Sequence, residues 1–409
     1  MQKVVEIRSH FPVLSRKIYG KELVYFDNAA TSQRCDSVMA RWNEISGQSN
    51  ANIHRAVHRL ADEATQAYED ARDAVKEFLN APSREEIVFT SGTTAAINLV
   101  AFSFGEAFVS EGDEIIITEA EHHSNIVPWQ MLCARKGAVL KVVPVDDDGH
   151  LKVDMLDQLL SERTAIVALT HISNVLGIIN PVKELVSKCH EKNIPVLVDG
   201  AQGIVHSKVD VQDMDCDFYV FSGHKLYAAT GTGVLYGKKK WLDAMPPYMG
   251  GGEMVGNVSF SGTTYAPLPM KFEAGTQNFA SAATLKDAVS FVKSLNDSEL
   301  VTYNDSVRDY LLDYFLNDRR ITLYGIPRAA ADEKIPLFSF VADGVHHEDM
   351  ALLLDKMGIA VRSGQMCAEP LMGRFGVTGM LRASLAPYNT MEEAEYFVRC
   401  LNRAINMLI

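Results

Sequence analysis

The chain has no hydrophobic run approaching the roughly 18 residues that a membrane-spanning helix requires, which argues against a helical membrane protein. Its first 17 residues scatter charges among apolar side chains and lack the continuous apolar stretch of a secretion signal. Basic residues are in the minority: 39 Lys and Arg face 52 Asp and Glu, giving a net charge of −13. A binder of nucleic-acid backbones normally presents net positive charge or a concentrated basic stripe. The one basic cluster, Lys238-Lys239-Lys240, reads as a solvated loop, so nucleic acid is not an expected partner. The six cysteines (Cys35, Cys133, Cys189, Cys216, Cys367 and Cys400) never form a C-x-x-C pair. A chain of 409 residues buries a full core without disulfide or metal staples, and the pattern suits a reducing, cytoplasmic location. With only 27 Gly and 14 Pro, collagen-like and linker-rich classes are out, and there are no internal repeats.

Two ligand motifs are also missing. No G-x-G-x-x-G follows a strand, and the glycines before Lys238 fail the P-loop spacing, with no Ser or Thr after that lysine. His54 and His58 stand four apart, a spacing that could hold a metal. No third ligand and no H-E-x-x-H pattern accompany them, so no metal site is expected.

What is present is an alternation. Short apolar or β-branched runs at 86–89, 114–118, 139–143, 165–170, 195–199, 217–221 and 233–236 predict strands. Between them, 94–104, 126–135 and 182–190 have helical period. Near-continuous apolar strands alternating with helices predict an α/β architecture, a mostly parallel sheet covered on both faces. The segment 248–278, with Gly250-Gly251-Gly252, Pro267 and Pro269, reads as long loops at a site mouth or subunit interface. Beyond it, one long helix over 287–316, strands at 321–324 and 337–341 and a final helix over 391–407 predict a smaller α+β domain.

Three strand ends carry chemistry. Phe218-Tyr219-Val220-Phe221-Ser222-Gly223-His224-Lys225 ends a buried strand on a small-residue turn that presents a lysine. Val196-Leu197-Val198-Asp199-Gly200-Ala201-Gln202 ends on a carboxylate, and Ile87-Val88-Phe89-Thr90-Ser91-Gly92-Thr93-Thr94 runs into a helix. Parallel sheets bind ligands at such carboxyl ends, and exposed N–H groups at a helix start suit a phosphate. Pyridoxal phosphate needs this set: an amine for its aldehyde, a carboxylate for its pyridine nitrogen and an anion cradle, to which Ser222 and His224 contribute. A second feature is the Gly- and Pro-flanked loop around Cys367, in Arg362-Ser363-Gly364-Gln365-Met366-Cys367-Ala368-Glu369-Pro370. Arg362 and Arg382 lie near it in sequence, and an arginine fork suits a carboxylate. A loop cysteine in such company is a candidate nucleophile.

Beyond these runs, the chain carries Phe11-Pro12-Val13-Leu14-Ser15-Arg16, Tyr25-Phe26-Asp27-Asn28-Ala29-Ala30 and Glu121-His122-His123-Ser124-Asn125-Ile126-Val127-Pro128-Trp129. It also carries Ser173-Asn174-Val175-Leu176-Gly177, Phe272-Glu273-Ala274-Gly275-Thr276 and Cys367-Ala368-Glu369-Pro370-Leu371-Met372. Nearly end to end it resembles a cysteine desulfurase of the SufS type (group II), within the class V, fold type I family of pyridoxal-phosphate enzymes.

That resemblance implies a large cofactor-binding domain at 21–295, with a mostly parallel seven-stranded sheet covered by helices. A smaller α+β domain from 1–20 and 296–409 would carry the cysteine loop. Lys225 is then the lysine that bonds the cofactor, Asp199 pairs the pyridine nitrogen, Gln202 meets the ring hydroxyl, and His122 stacks on the ring and shuttles protons. Thr93, Thr94, Ser222 and His224 hold the phosphate, and Thr276 reaches it from the other subunit of a homodimer. Asn174, Arg362 and Arg382 bind the substrate carboxylate. Cys367 takes the sulfur of L-cysteine as a persulfide, L-alanine leaves, and an acceptor protein carries the sulfur to an iron–sulfur assembly scaffold.

Three positions depart from the family: Gln365-Met366 replaces a His-His pair, Ala95 a Glu, and Glu348 the histidine of members that serve a zinc-containing, SufU-like acceptor. The last favours a SufE-like acceptor. A selenocysteine lyase, epimerase or transaminase on the same fold, without persulfide transfer, remains the alternative.

Overall fold

The computed structural model describes residues 2–325 and 333–409. Seven strands form the main sheet: β1 (Ile87–Thr90), β2 (Glu114–Thr118), β3 (Val139–Val143), β4 (Thr164–Thr170), β5 (Val196–Asp199), β6 (Phe218–Ser222) and β7 (Gly233–Gly237). Their spatial order is β1-β7-β6-β5-β4-β2-β3. β7 runs antiparallel to both neighbours, and the pairs from β6 through β3 are parallel.

The apolar runs are continuous because both faces are covered. Val88, Ile115, Ile117, Ile166, Leu197, Val220 and Leu235 pack on one side with the helix Thr93–Phe108 and Trp129. Their alternating neighbours Phe89, Ile116, Val167, Val198, Phe221 and Val234 pack into the core on the other. β3 is the exception: at the sheet edge, Val139 and Val142 are about half exposed (50% and 45%).

A second sheet, wholly antiparallel, orders Ile321–Tyr324, Leu337–Ala342, Met380–Ser384 and Arg362–Gly364. Its own apolar cluster joins Phe315, Phe338, Phe340, Leu381 and Phe397. The C-terminal helix Met391–Leu408 opens on a reciprocal cap, in which Thr390 Oγ1 accepts from Glu393 N and Glu393 Oε2 accepts from Thr390 N. The N-terminal segment crosses to this half: Val24–Tyr25 pairs in parallel with Ile359–Ala360, which delivers Asp27 beside Ser384.

Three local expectations change. The single helix over 287–316 is two, Phe279–Ser294 and Ser298–Asn317. Asp297 breaks it because its carboxylate caps the second, accepting from Glu299 N and Leu300 N. The segment 248–278 contains a hairpin, Val255–Ser259 with Gly262–Tyr265, whose tip residue Phe260 is fully exposed. Lys239 and Lys240 lie in a short helix, Lys239–Ala244, rather than a loop. His54 Nε2 lies 3.1 Å from Glu69 Oε1, and His58 caps the helix Arg59–Phe78.

Candidate active site

At the carboxyl ends of β4, β5 and β6 a cleft opens between the two sheets. All but one of the predicted site residues line it: Thr93, Thr94, His122, Asn174, Asp199, Gln202, Ser222, His224, Lys225, Arg362, Cys367 and Arg382. The exception is Thr276, which is exposed in the loop after Phe272 and is not part of the cleft wall.

One wall is the start of a helix, where an anion could be held. Gly92 precedes the helix Thr93–Phe108 at φ +149°, a conformation that favours glycine, and a Cβ there would sit 3.3 Å from Ser222 Oγ. Ser222 Oγ accepts from Thr93 N at 2.8 Å and lies 2.8 Å from Thr93 Oγ1, so the helix start and the end of β6 are locked together. Thr94 Oγ1 pairs with Ser124 Oγ at 2.7 Å.

The floor holds the charged groups. Asp199 closes β5, with Oδ1 accepting from Ala201 N at 2.9 Å; burial pushes its pKa up. Gly200 follows because a Cβ there would strike the Tyr219 ring, 2.1 Å away. Burial, offset by Asp199 and reinforced by Arg382, brings the Lys225 amine down to about 8. Gln202 Nε2 donates to Ala29 O at 2.7 Å.

His122 accepts from Ser124 N at Nδ1, 3.0 Å away, which places the neutral ring's proton on Nε2. Burial, then Lys225, His123 and Arg382, lower its pKa to about 4. His224, brought to about 4 by burial first, sets Nδ1 3.2 Å from Thr31 Oγ1.

The second sheet supplies the rest. Arg382 is buried, with Nη1 donating to Asn174 O at 2.8 Å and Nη2 to Asp27 Oδ1 at 3.2 Å. Arg362, half exposed, stands 3.9 Å from the other oxygen of Asp27. Buried Arg382 Nε has no acceptor among the described residues. Cys367 is exposed at the cleft, on the loop after Arg362–Gly364. Asn174 does something unforeseen: its amide donates to Met366 O at 2.8 Å, so it braces the cysteine loop.

Sequence reading missed two groups. Asp27, in the run Tyr25–Ala30, has no role expected from sequence; it bridges Arg362 and Arg382, the latter 355 residues away in the chain. Glu121, adjacent to His122, is buried and accepts from Thr118 Oγ1 (2.5 Å), Thr170 N (2.8 Å) and Asn125 Nδ2 (2.7 Å). Burial raises it to about 8, and Asp199 pushes the same way. The signals for Glu121 are its place at the head of the 121–129 motif and its position next to a histidine.

Known proteins agree with this architecture. Residues 24–397 match the aminotransferase class-V family. Over 406 residues the chain is 48% identical to a cysteine desulfurase of Enterobacter sp. (strain 638), covering 99% of both. It is 45% identical over 404 residues to a probable cysteine desulfurase of Vibrio cholerae, covering 98% of both. Its structure superposes on that of the cysteine desulfurase CsdA from Escherichia coli with a TM-score of 0.91 at 39% identity, over 99% of each chain. The fold is thus that of a fold type I, pyridoxal-phosphate-dependent enzyme. More narrowly, the chain belongs to the aminotransferase class-V family.

The donor set fits that cofactor. Asp199 is a buried carboxylate that would gain from a protonated pyridine nitrogen, and the helix start at Thr93, beside Ser222, could hold a phosphate. Lys225 has an amine that is neutral at mildly alkaline pH.

Proposed function

We propose that this protein is a cysteine desulfurase of the SufS type, taking sulfur from L-cysteine, releasing L-alanine and holding the sulfur as a persulfide on Cys367. What supports the reading most is one juxtaposition: Lys225 and Asp199 on the first sheet, with Cys367 and Arg382 delivered to the same cleft by the second. Bound pyridoxal phosphate would supply the electron sink that loosens the bonds at the substrate's Cα and Cβ.

The chain's own groups do the rest. Lys225, Asp199, Gln202, Thr93, Thr94, Ser222 and His224 would hold the cofactor. Arg382, whose Nε–H has no acceptor among the described residues, would bind the substrate carboxylate with Arg362 and Asn174. His122, neutral and protonated at Nε2, can donate a hydrogen bond at the ring. The Cys367 thiolate would attack the substrate sulfur. The S–S bond forms as Cβ–S breaks, and the departing pair stays with the carbon side, which takes up a proton to give alanine.

On this reading residues 21–295 form the cofactor domain, and 1–20 with 296–409 the smaller one. Thr276, away from its own cleft, reaches the phosphate of the second subunit in a homodimer. The sulfur passes to a SufE-like acceptor in the cytoplasm and on to an iron–sulfur scaffold, with Glu348 standing against a zinc-containing acceptor. Incubating the loaded protein with cysteine and weighing the intact chain tests the reading: one added sulfur on Cys367, with alanine released, supports it, and alanine without that adduct overturns it.

Two further results are expected. Asp199→Asn keeps the shape but removes the charge that holds the pyridine proton, so alanine release falls roughly 10²–10³-fold; turnover within twofold of wild type would place that tuning elsewhere. Cofactor uptake by the stripped protein depends on neutral Lys225. Burial disfavours the ammonium, so with a pKa of about 8 roughly a tenth is neutral at pH 7 and about nine-tenths at pH 9. Uptake, followed by visible absorbance, rises about tenfold over that range and then levels. A rate still climbing tenfold per unit above pH 9 would show an unshifted lysine.

A further inference from the structure

The cysteine loop holds an unfavourable backbone. Met366 and Cys367, neither of them glycine, both lie at φ +55°, and Gly364, two residues before Met366, lies at +109°. Two successive left-handed residues persist only where the surroundings over-determine them. Three contacts from outside the loop do so here. Asn174 Nδ2 donates to Met366 O, His123 N donates to Cys367 O at 2.6 Å, and Glu369 N donates to His123 Nε2 at 3.0 Å. Two of the three come from one residue, His123, at the nucleophile's own carbonyl and at the N–H two residues beyond it.

A backbone N–H can only donate, so His123 Nε2 is the unprotonated nitrogen and the neutral ring carries its proton on Nδ1. His123 does not line the cleft, whereas its neighbour His122 does. One peptide therefore joins the residue facing the cofactor position to the residue gripping the sulfur acceptor. The side chains of Gln365 and Met366 do not repeat the His123 contacts: Gln365 Nε2 reaches Glu369 Oε1, at the start of the helix Glu369–Arg374, at 3.3 Å, and Met366 packs into the apolar core.

We propose that His123 is a positioning residue that clamps the Cys367 loop and sets the approach of the thiol to the substrate sulfur. It acts through the loop and touches no substrate. The inference rests on Cys367 being the sulfur acceptor.

The test uses the full-length, cofactor-loaded protein with His123→Gln, whose Oε1 can accept from Glu369 N, and His123→Asn, whose shorter side chain cannot. His123→Ala and Cys367→Ala are measured beside them. For Asn and Ala the expected result is unchanged cofactor content, a KM for cysteine within about twofold, and a kcat for alanine release lower by on the order of 10–100-fold, the scale of a misplaced reacting group. Amide hydrogen exchange rises across 364–372 in the same variants. Gln restores kcat to within about threefold and restores the protection.

Wild-type kcat in the Asn and Ala proteins, or a Gln protein as poor as Asn, overturns the clamp. So does a loss confined to KM or to cofactor content. If Ala fails to fold, the Gln–Asn contrast decides alone. Failure of the underlying reading is separate, since it would show as Cys367→Ala releasing alanine at the wild-type rate.

Discussion

Lys225→Ala yields a folded protein that releases no alanine from cysteine above background and shows no visible band from covalently held cofactor. The effect is the largest expected of any substitution, because the amine enters chemistry rather than packing. Lys225 sits where β6 ends, on a turn whose geometry is set by main-chain bonds: Gly223 N donates to Thr232 O at 2.9 Å and Lys225 N to Ser222 O at 3.3 Å. Truncating the side chain leaves those bonds intact and removes a group whose charge burial already disfavours. Thermal melting should therefore show no loss of fold, while visible absorbance and alanine release both fail. Turnover near the wild-type level would end the assignment of Lys225.

Cys367→Ala removes the sulfur acceptor without touching the cofactor wall. Cofactor content and its spectral response to cysteine should match the wild type, no sulfur should be found on the protein, and alanine release should fall to a small residue. Cys367 is suited to the task by exposure: it is the one exposed cysteine among the described residues, whereas Cys35, Cys189, Cys216 and Cys400 are buried. Burial drives Cys189 to about 12 and raises Cys216 still further, so neither can serve as a thiolate near neutral pH. Alanine release undiminished in Cys367→Ala would instead favour a selenocysteine lyase or another enzyme of this fold that works without persulfide transfer.

The sheet was legible because its signal is local. A strand covered on both faces reads as an unbroken apolar run, and the seven predicted runs are the seven strands, to within a residue or two at their ends. The same locality exposed Asp199, Ser222 and Lys225, since each stands where an apolar run stops. The helix break at Asp297 and the hairpin inside 248–278 were missed where a capping side chain or a cross-strand pairing outweighed periodicity.

By itself, then, the sequence determined the strands, the strand ends and the chemical types they carry. Distances across the chain were settled only by the tertiary structure. Asp27 and Arg382 are 355 residues apart, and His123 and Glu369 are 246 apart. Neither pair has a periodicity or spacing to betray it, because what joins them is the docking of the second sheet against the carboxyl ends of the first. That docking makes Asn174, which lines the cleft, a brace on Met366 as well, and makes His123 a grip on the cysteine loop. A residue's chemistry belongs to its side chain, but its partner is chosen by packing, and packing is a property of the whole core.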